Sequence, residues 1–315
     1  MRFELQDING KRFEASNIIS FELSSEADAA CDGLRLNFIP EENVGEICVV
    51  KAYLNEELIF NGLCDKQKLT ADKGGRKCSV YARSTASLLV DNEAIPCQYV
   101  CPSARQLWLS NARELGFECD LPEAYTDNTY IVSKGTSCYG AINDFVFAVC
   151  GTPVYVTPEN VLKVFELSEK VKRLDSYNIL SLSRVINRSE PISDVDYKIS
   201  SADAYSYHFK SDFAATRGIR RRRLYNLSSL PAWQREKAAE KRLARALSDY
   251  YSVQAVIAGE CDLRLYDRVE LSFSEGEAAE EFFVCEKTIS KNESGKKTLV
   301  VLKKNMNGEL INYVA

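Results

Sequence analysis

Three residues whose side chains often do chemistry lie close together in this sequence: Arg83, Ser84 and Asp91, within the stretch VYARSTASLLVDNEA. A serine nucleophile needs a base, usually a histidine, within hydrogen-bonding distance. The one histidine, His208, lies far along the chain in an alternating, strand-like segment, and no G-x-S-x-G elbow surrounds Ser84. We therefore interpret the stretch as structural: a strand ends here, an apolar turn follows it, and Arg83 can pair with Asp91.

A second candidate is the dense basic run RGIRRRR, which ends in Arg220, Arg221, Arg222 and Arg223. Proteins that grip single-stranded nucleic acid usually combine such charges with aromatic rings, and this run contains none. The formal net charge of the chain is −5, which also argues against a surface devoted to binding phosphates. Contact with another subunit or protein is the favoured interpretation, and a solvated loop or a nucleic-acid patch are the alternatives.

Metal and phosphate chemistry has little support in the sequence. The 11 cysteines are scattered without a C-x2-C pair, so a zinc site would need distant and nearly all-cysteine ligands. Asp194 and Asp196 share a strand face and could hold a hard cation, but no third acid lies near them. The SGKK segment lacks the first glycine of a phosphate-binding loop. We therefore expect no metal, no cofactor and no catalytic activity.

The elements that must position these residues are mostly strands. Over residues 1–95, apolar residues alternate with polar ones, and turn signals such as Asn9-Gly10 separate the alternating segments. Short strands of even spacing are typical of a sandwich or a small barrel. The first part of the chain is therefore predicted to be a β-domain.

The pattern changes to helical periodicity in the middle of the chain. Ser103 is placed to cap a first helix, Thr136 or Ser137 is placed to cap a second, and Gly151 follows that second helix as a stop. A hairpin pattern comes next. The sequence thus predicts a compact α-α-β-β insert domain over 96–170.

Residues 171–315 return to strand patterns, interrupted by one helix over about 231–250. Apolar residues make up 45% of the chain and charged residues 27%, the balance of an ordinary soluble protein. No apolar run approaches the roughly 20 residues that span a bilayer, and the first residues alternate instead of forming a signal-peptide core. We expect a chain that folds in a bacterial-type cytoplasm and has no membrane partner.

The order of these elements resembles a family of phage proteins, the baseplate hub proteins of contractile-tailed phages, which include the Mu-type tail protein and its late-control-D-like relatives. Two segments carry the resemblance in the first domain: VVKAYLNEELIFNGLCDKQKL, and SVYARSTASLLVDNEA, where Ala82 replaces the family's usual glycine and Asn92 its usual cysteine. The α-α-β-β insert is a third similarity. The fourth is an arginine-rich strand and a long helix before a barrel entry, which in this sequence consists of Gly259, Leu263, Asp267 and Val269.

The resemblance implies an α+β, mainly β fold with two similar small β-barrels. It divides the chain into a first barrel over 1–95, the insert over 96–170, and a second barrel within 171–315, built from strands in 180–210 and 251–305. Arg83, Ser84, Asp91, Gly259, Asp267 and the four arginines Arg220, Arg221, Arg222 and Arg223 are then structural or interface residues.

The resemblance also implies a function. Three copies would form a ring of six barrels that joins a hexameric tail tube to a trimeric spike, with DNA passing through the channel. The expected partners are the tail tube protein, the spike protein and other baseplate proteins, with no sequence-specific nucleic acid among them. Because cationic contacts to DNA create affinity, the basic run should face away from the channel. The alternatives are a phage-associated cell-wall hydrolase and a β-module that binds carbohydrate or nucleic acid.

Overall fold

The computed structural model describes residues 1–73, 75–166, 169–200, 203–228, 232–273 and 278–304, and it is mainly β, as the sequence predicts. Seven strands form what we call the first β-unit: β1 (Arg2–Asp7), β2 (Arg12–Glu14), β3 (Ile18–Glu26), β4 (Gly33–Phe38), β5 (Ile47–Leu54), β6 (Glu57–Asp72) and β7 (Gly75–Ser84). Phe3 and Leu5 are fully buried and alternate with half-buried neighbours, as one face of a strand requires.

The first β-unit is strongly curled. The strand order is β3-β4-β7-β6-β5-β1-β2, so four strands separate β1 from β3. The rings of Phe3 on β1 and Phe21 on β3 nevertheless pack with their centroids 5.1 Å apart. The two ends of the sheet therefore enclose a single core.

The first insert follows and has its own core. Its elements are α1 (Ser87–Asp91), β8 (Cys97–Val100), α2 (Ala104–Asn111), β9 (Glu118–Asp120), β10 (Thr129–Val132), α3 (Cys138–Cys150), β11 (Val154–Val156) and β12 (Val161–Val164). Ser103 accepts the N-terminal hydrogen bond of α2, as predicted, and Ser137 does so for α3. Gly151 ends α3 with a φ of 77°, which favours glycine. Leu89 belongs to this core, which therefore begins before residue 96.

The second β-unit contains β13 (Val171–Arg173), β14 (Ile179–Ile186), β18 (Tyr251–Ala258), β19 (Arg268–Leu271), β20 (Glu280–Asn292) and β21 (Gly295–Lys303). Its apolar faces form a second core around Phe282, Val284 and Leu302. Backbone pairing joins the two units into one 13-stranded sheet. Among the described strands, the pairings do not close either unit into a barrel, so the barrels stay a prediction.

A second insert interrupts the second β-unit between β14 and β18. It consists of β15 (Asp194–Lys198), β16 (Tyr207–Lys210), α4 (Asp212–Thr216), β17 (Arg222–Asn226) and α5 (Ala232–Ser248). Its three strands form a separate sheet in the order β16-β15-β17, which packs on α5 through Val195, Leu243 and Leu247. The prediction that strands in 194–210 belong to the second barrel was wrong, because alternation shows that a segment is a strand and not which strand it pairs with.

Candidate functional site

The two β-units repeat the same strand order. In the first unit it runs β3-β4-β7-β6-β5, and in the second β14-β18-β21-β20-β19. The two units differ in the strand that comes next. In the first unit, β1 lies antiparallel beside β5, whereas in the second unit β13 lies parallel beside β19. The chain therefore contains two versions of one five-strand arrangement.

The pairing registers of the two units also agree, residue for residue. The β6–β7 ladder is interrupted by a bulge between Cys64 and Lys66, and the β20–β21 ladder by a bulge between Val284 and Glu286. Each hairpin ends on a glycine with positive φ, at Gly75 and its equivalent in the second unit, Gly295. Equivalent residues therefore differ by a constant offset along these two hairpins.

The outer strands show the same agreement. Ile18 on β3 pairs with Phe38 on β4, and Ile179 on β14 pairs with Ile257 on β18, and in both ladders a bulge follows this pair. A bulge moves every later side chain by one position, so bulges at matching places set the same inward-facing residues in both units. The duplication thus extends to which side chains face each core.

One unit contacts the other by strand pairing. Residues 286–291 of β20 pair antiparallel with residues 21–26 of β3, and Ile289 lies opposite Leu23. Ile289 is 4% exposed and belongs to the core of the first unit. The second unit therefore adds a strand to the open edge of the first and inserts an apolar side chain with it.

The equivalents of these two strands have open edges. In the described part of the chain, β14 pairs with β18 alone, and residues 66–71 of β6 pair with β7 alone. Leu69, the equivalent of Ile289, is 54% exposed. A groove of about 500 Å3 lies along this edge of β6, between residues 64–69 and the segment 44–47. We call this edge and its groove the β6 edge.

An ion-pair cluster joins the first unit to the first insert. The Arg83 guanidinium donates to Asp65 at 2.5 Å and to Asp91 at 2.7 Å, so the predicted pairing with Asp91 is observed. Asp65 is the bulged residue of β6, and Asp91 ends α1. Hydrogen bonds from Arg83 hold the pKa of Asp91 below its ordinary value.

We expect Arg83→Met to lower the free energy of unfolding by about 1 kcal/mol at pH 7, since exposed ion pairs are screened by water. Methionine keeps the apolar stem and removes the charge. Because the Asp91 pKa is depressed in the folded state, the stabilisation is present above the unfolded pKa near 4 and is lost as the pH falls through the folded value. Urea unfolding of the parent protein and the variant at pH 7 and at pH 3.5 measures how far the difference in their free energies of unfolding decreases at low pH.

A matched control is Arg35→Met, which removes the pair between Arg35 and Glu22, whose side chains are 66% and 46% exposed. Its effect should stay below about 0.5 kcal/mol. A deficit for Arg83→Met that is the same at both pH values would contradict the ion-pair explanation.

Ser84 and His208 do not meet. Ser84 lies on β7, where its Oγ accepts a hydrogen bond from the backbone of Asp32 at 3.1 Å. His208 lies on β16 in the separate sheet, and its Nδ1 lies 2.6 Å from Asp196 Oδ1. The two side chains therefore lie in separate sheets and make separate contacts.

The last four arginines of the basic run, Arg220, Arg221, Arg222 and Arg223, lie at the start of β17 and just before it. Arg222 bonds Asp196. Burial raises the pKa of Asp196, but hydrogen bonds from His208 and Arg222 outweigh this, and the pKa lies below its ordinary value. The Arg221 backbone N–H donates to Ser193 Oγ at 2.8 Å. Arg220 and Arg223 are exposed.

Asp196 is thus bonded by Arg222 and His208 at the position where the sequence suggested a hard-cation site. In the described residues, no group of three or more histidine, cysteine, aspartate or glutamate side chains is arranged to hold a metal ion. Among the helices that the structure describes, none is long and apolar enough to cross a membrane.

Gly259 and Asp267 bound the loop between β18 and β19. Gly259 has a φ of 75°, and its carbonyl accepts from the Thr298 hydroxyl at 2.8 Å. Asp267 Oδ2 accepts from Lys172 at 2.9 Å and from the Arg264 backbone at 2.7 Å. Both residues therefore fix the ends of this loop.

The first insert contacts both β-units. The Asn160 side chain, at the β11–β12 turn, accepts from Thr85 at 2.6 Å and lies 3.4 Å from the Asn61 amide. On the other side, the ring of Phe165 stacks on Tyr266 with the centroids 3.8 Å apart. These contacts fix the insert across the two units.

Sequence reasoning missed the β6 edge. Leu69 stands in an alternating strand, where an apolar residue is usually buried in its own unit. The relevant signal is the match between the hairpins around Gly75 and Gly295, which makes Leu69 the equivalent of Ile289. Residue types differ too much between the hairpins for the match to be evident without the pairing registers.

No protein-family model and no curated protein matches this chain. Solved structures do match it. The tail protein from Neisseria meningitidis has a TM-score of 0.76 at 16% identity, over 98% of this chain and 97% of that one. The 43 kDa tail protein of prophage MuSo2 from Shewanella oneidensis has a TM-score of 0.75 at 11% identity, over 96% of this chain and 98% of that one.

A component of the type VI secretion system of Escherichia coli, described as structurally similar to bacteriophage T4 tail proteins, has a TM-score of 0.59 at 10% identity. This match covers 96% of the chain and 76% of that protein. The chain therefore has the fold of phage and prophage tail proteins and of a related secretion-system component.

Proposed function

We propose that this protein is a structural, non-catalytic baseplate hub component of a phage or prophage contractile tail. Three copies form a ring that joins the hexameric tail tube to the trimeric spike, and DNA passes through its channel. The protein assembles in the bacterial cytoplasm and ends up in the tail baseplate. The fold shared with tail proteins over nearly the whole chain supports the class of protein.

The duplication of the β-unit is the observation that carries the hub role. Two units with the same strand order and register lie in one chain, so three chains present six similar units while keeping true threefold symmetry. Such a ring matches a sixfold tube on one face and a threefold spike on the other. Three copies of a chain with a single unit would present only three units, so they would match the threefold spike and not the sixfold tube.

The distribution of charge agrees with a DNA channel. The net charge is −5, and a wall without excess cations does not retain DNA. Arg220, Arg221, Arg222 and Arg223 belong to the second insert and not to either β-unit. In a ring built from β-units, these arginines lie away from the bore, and the exposed Arg220 and Arg223 are available to other baseplate proteins.

The mass of the protein in solution, alone and mixed with the neighbouring spike protein, tests the proposal. We expect a complex of three copies with one spike trimer, and a collar with six similar units in electron micrographs. A mixture in which the two proteins never associate, or a complex without threefold symmetry, would refute the hub assignment.

A further inference from the structure

We infer that the β6 edge of one copy pairs with β14 of a second copy, and that this strand addition is the contact between neighbouring copies. The inference rests on the proposed ring for its biological setting and on the duplication for its geometry. Residues 66–71 run antiparallel to residues 182–187 in this interface. Leu69 then lies opposite Arg184, and Thr70 lies opposite Ser183.

The contact between the two units of one chain supplies the template. There, residues 286–291 of β20 pair with residues 21–26 of β3. The equivalents of these segments are residues 66–71 on β6 and residues 182–187, which cover the end of β14, by the matching registers described above. Within one copy, the second unit pairs with the edge of the first unit. By the same geometry, the first unit of the next copy would pair with the edge of the second unit.

Both strands needed for this contact are available. Among the strands that the structure describes, β14 is an edge strand of the 13-stranded sheet, and β6 extends past β5 with one side open. An open edge presents unpaired backbone donors and acceptors, and a matching strand satisfies them. The groove of about 500 Å3 along the β6 edge lies where the added strand would run.

The exposed apolar side chains agree with the register. Leu69 is 54% exposed, whereas its equivalent Ile289 is 4% exposed and packs in the core of the other unit. On the receiving segment 182–187, Ile186 is 61% exposed. Leu182 already packs against the second core, on the strand that Leu69 would meet. Pairing of the two edges would bury these residues together.

Lysine on an edge strand usually discourages pairing, and β6 has Lys66 and Lys68 on this segment. The internal template answers this objection, because β20 has Lys287 and Lys291 on its paired segment. The interface is also head-to-tail, so each copy uses one β6 edge and one β14 edge. Contacts of this kind close into a ring when the rotation allows it.

Cysteine cross-linking tests the register directly. The background variant replaces the exposed Cys97, Cys101 and Cys150 by serine. Thr70→Cys and Ser183→Cys are then combined in one chain, mixed with the spike protein and treated with a short bis-maleimide. We expect covalent dimers and trimers on a denaturing gel, while a variant with only one of the two introduced cysteines stays monomeric.

The chain offers a matched internal control. Glu22 and Ser290 are the paired residues at the equivalent place within one copy. Glu22→Cys with Ser290→Cys should give a cross-linked monomer under the same conditions, since both positions lie in one chain. A second variant, Leu69→Asp, should weaken association of the copies at least tenfold without unfolding the protein.

The outcomes distinguish a failure of the proposed interface from a failure of the proposed hub role. A trimeric ring that forms without the Thr70–Ser183 cross-link overturns the interface and leaves the hub in place. Cross-linked open filaments that bind no spike support the interface and overturn the hub. A Leu69→Asp variant that associates like the parent protein also overturns the interface. Cross-linked trimers on the spike, lost in Leu69→Asp, support both.

Discussion

The Gly62→Ala variant is expected to lose about 3 kcal/mol of its free energy of unfolding, because overpacking a strand of this kind forces the backbone to move. A Cβ atom at Gly62 would lie 2.4 Å from the Arg83 carbonyl oxygen and 2.5 Å from the Phe60 ring. The carbonyl belongs to the paired strand β7 and cannot rotate away. The measurement is urea unfolding followed by circular dichroism.

Gly33→Ala is the matched control, since Gly33 lies on β4, which pairs with the other side of β7, and its φ is not positive. Its added Cβ would meet only the Ser24 hydroxyl at 3.2 Å, which can rotate. This variant should stay within about 1 kcal/mol of the parent. Equal stabilities for the Gly62 and Gly33 variants would show that the close approach at Gly62 is absent.

Ile289→Asp should lower the free energy of unfolding by more than Gly62→Ala does, by about 4 kcal/mol or more, because it places a carboxylate without a partner in an apolar core. Ile289 comes from the second unit and is buried in the first, so the variant also separates the two units at their shared edge. Limited proteolysis should then cut the links between the units faster than in the parent protein.

Leu69→Asp makes the same chemical change at the equivalent position, where the side chain is 54% exposed. Its stability as a single copy should stay within about 0.5 kcal/mol of the parent, as is usual for exposed positions. We therefore expect Ile289→Asp to destabilise the single chain and Leu69→Asp to leave it nearly unchanged, since Leu69 is available to stabilise an assembly instead. Similar losses in both would contradict it.

These expectations follow from the way one motif is used twice. Within the chain, the edge of the first unit is covered by the second, which removes an aggregation-prone surface. In the described part of the chain, no strand covers β14 or the β6 edge in this way. A protein that assembles into a ring needs two complementary uncovered edges in each copy, and a protein that works alone does not.

Much of the local structure could be predicted because its causes are local. Strand alternation placed the strands of residues 1–95, and Ser103 and Gly151 marked helix ends through hydrogen bonds and backbone angles within a few residues. The helix predicted over about 231–250 is α5, although residue 231 lies outside the described residues. The pairing of Arg83 with Asp91 was also foreseeable, since a short turn separates the two residues.

The sequence by itself therefore determined the main β character of this protein and the helices α2, α3 and α5, but it did not predict α4 or the short strands β8, β9 and β10 of the α-α-β-β insert. Only the tertiary structure decided which strands pair, because hydrogen bonds between strands carry no residue code and join segments far apart in the chain. It assigned β15 and β16 to a separate sheet and Asp196 to His208 and Arg222. It also buried Ile289 and left Leu69 exposed, since burial depends on which neighbour covers an edge.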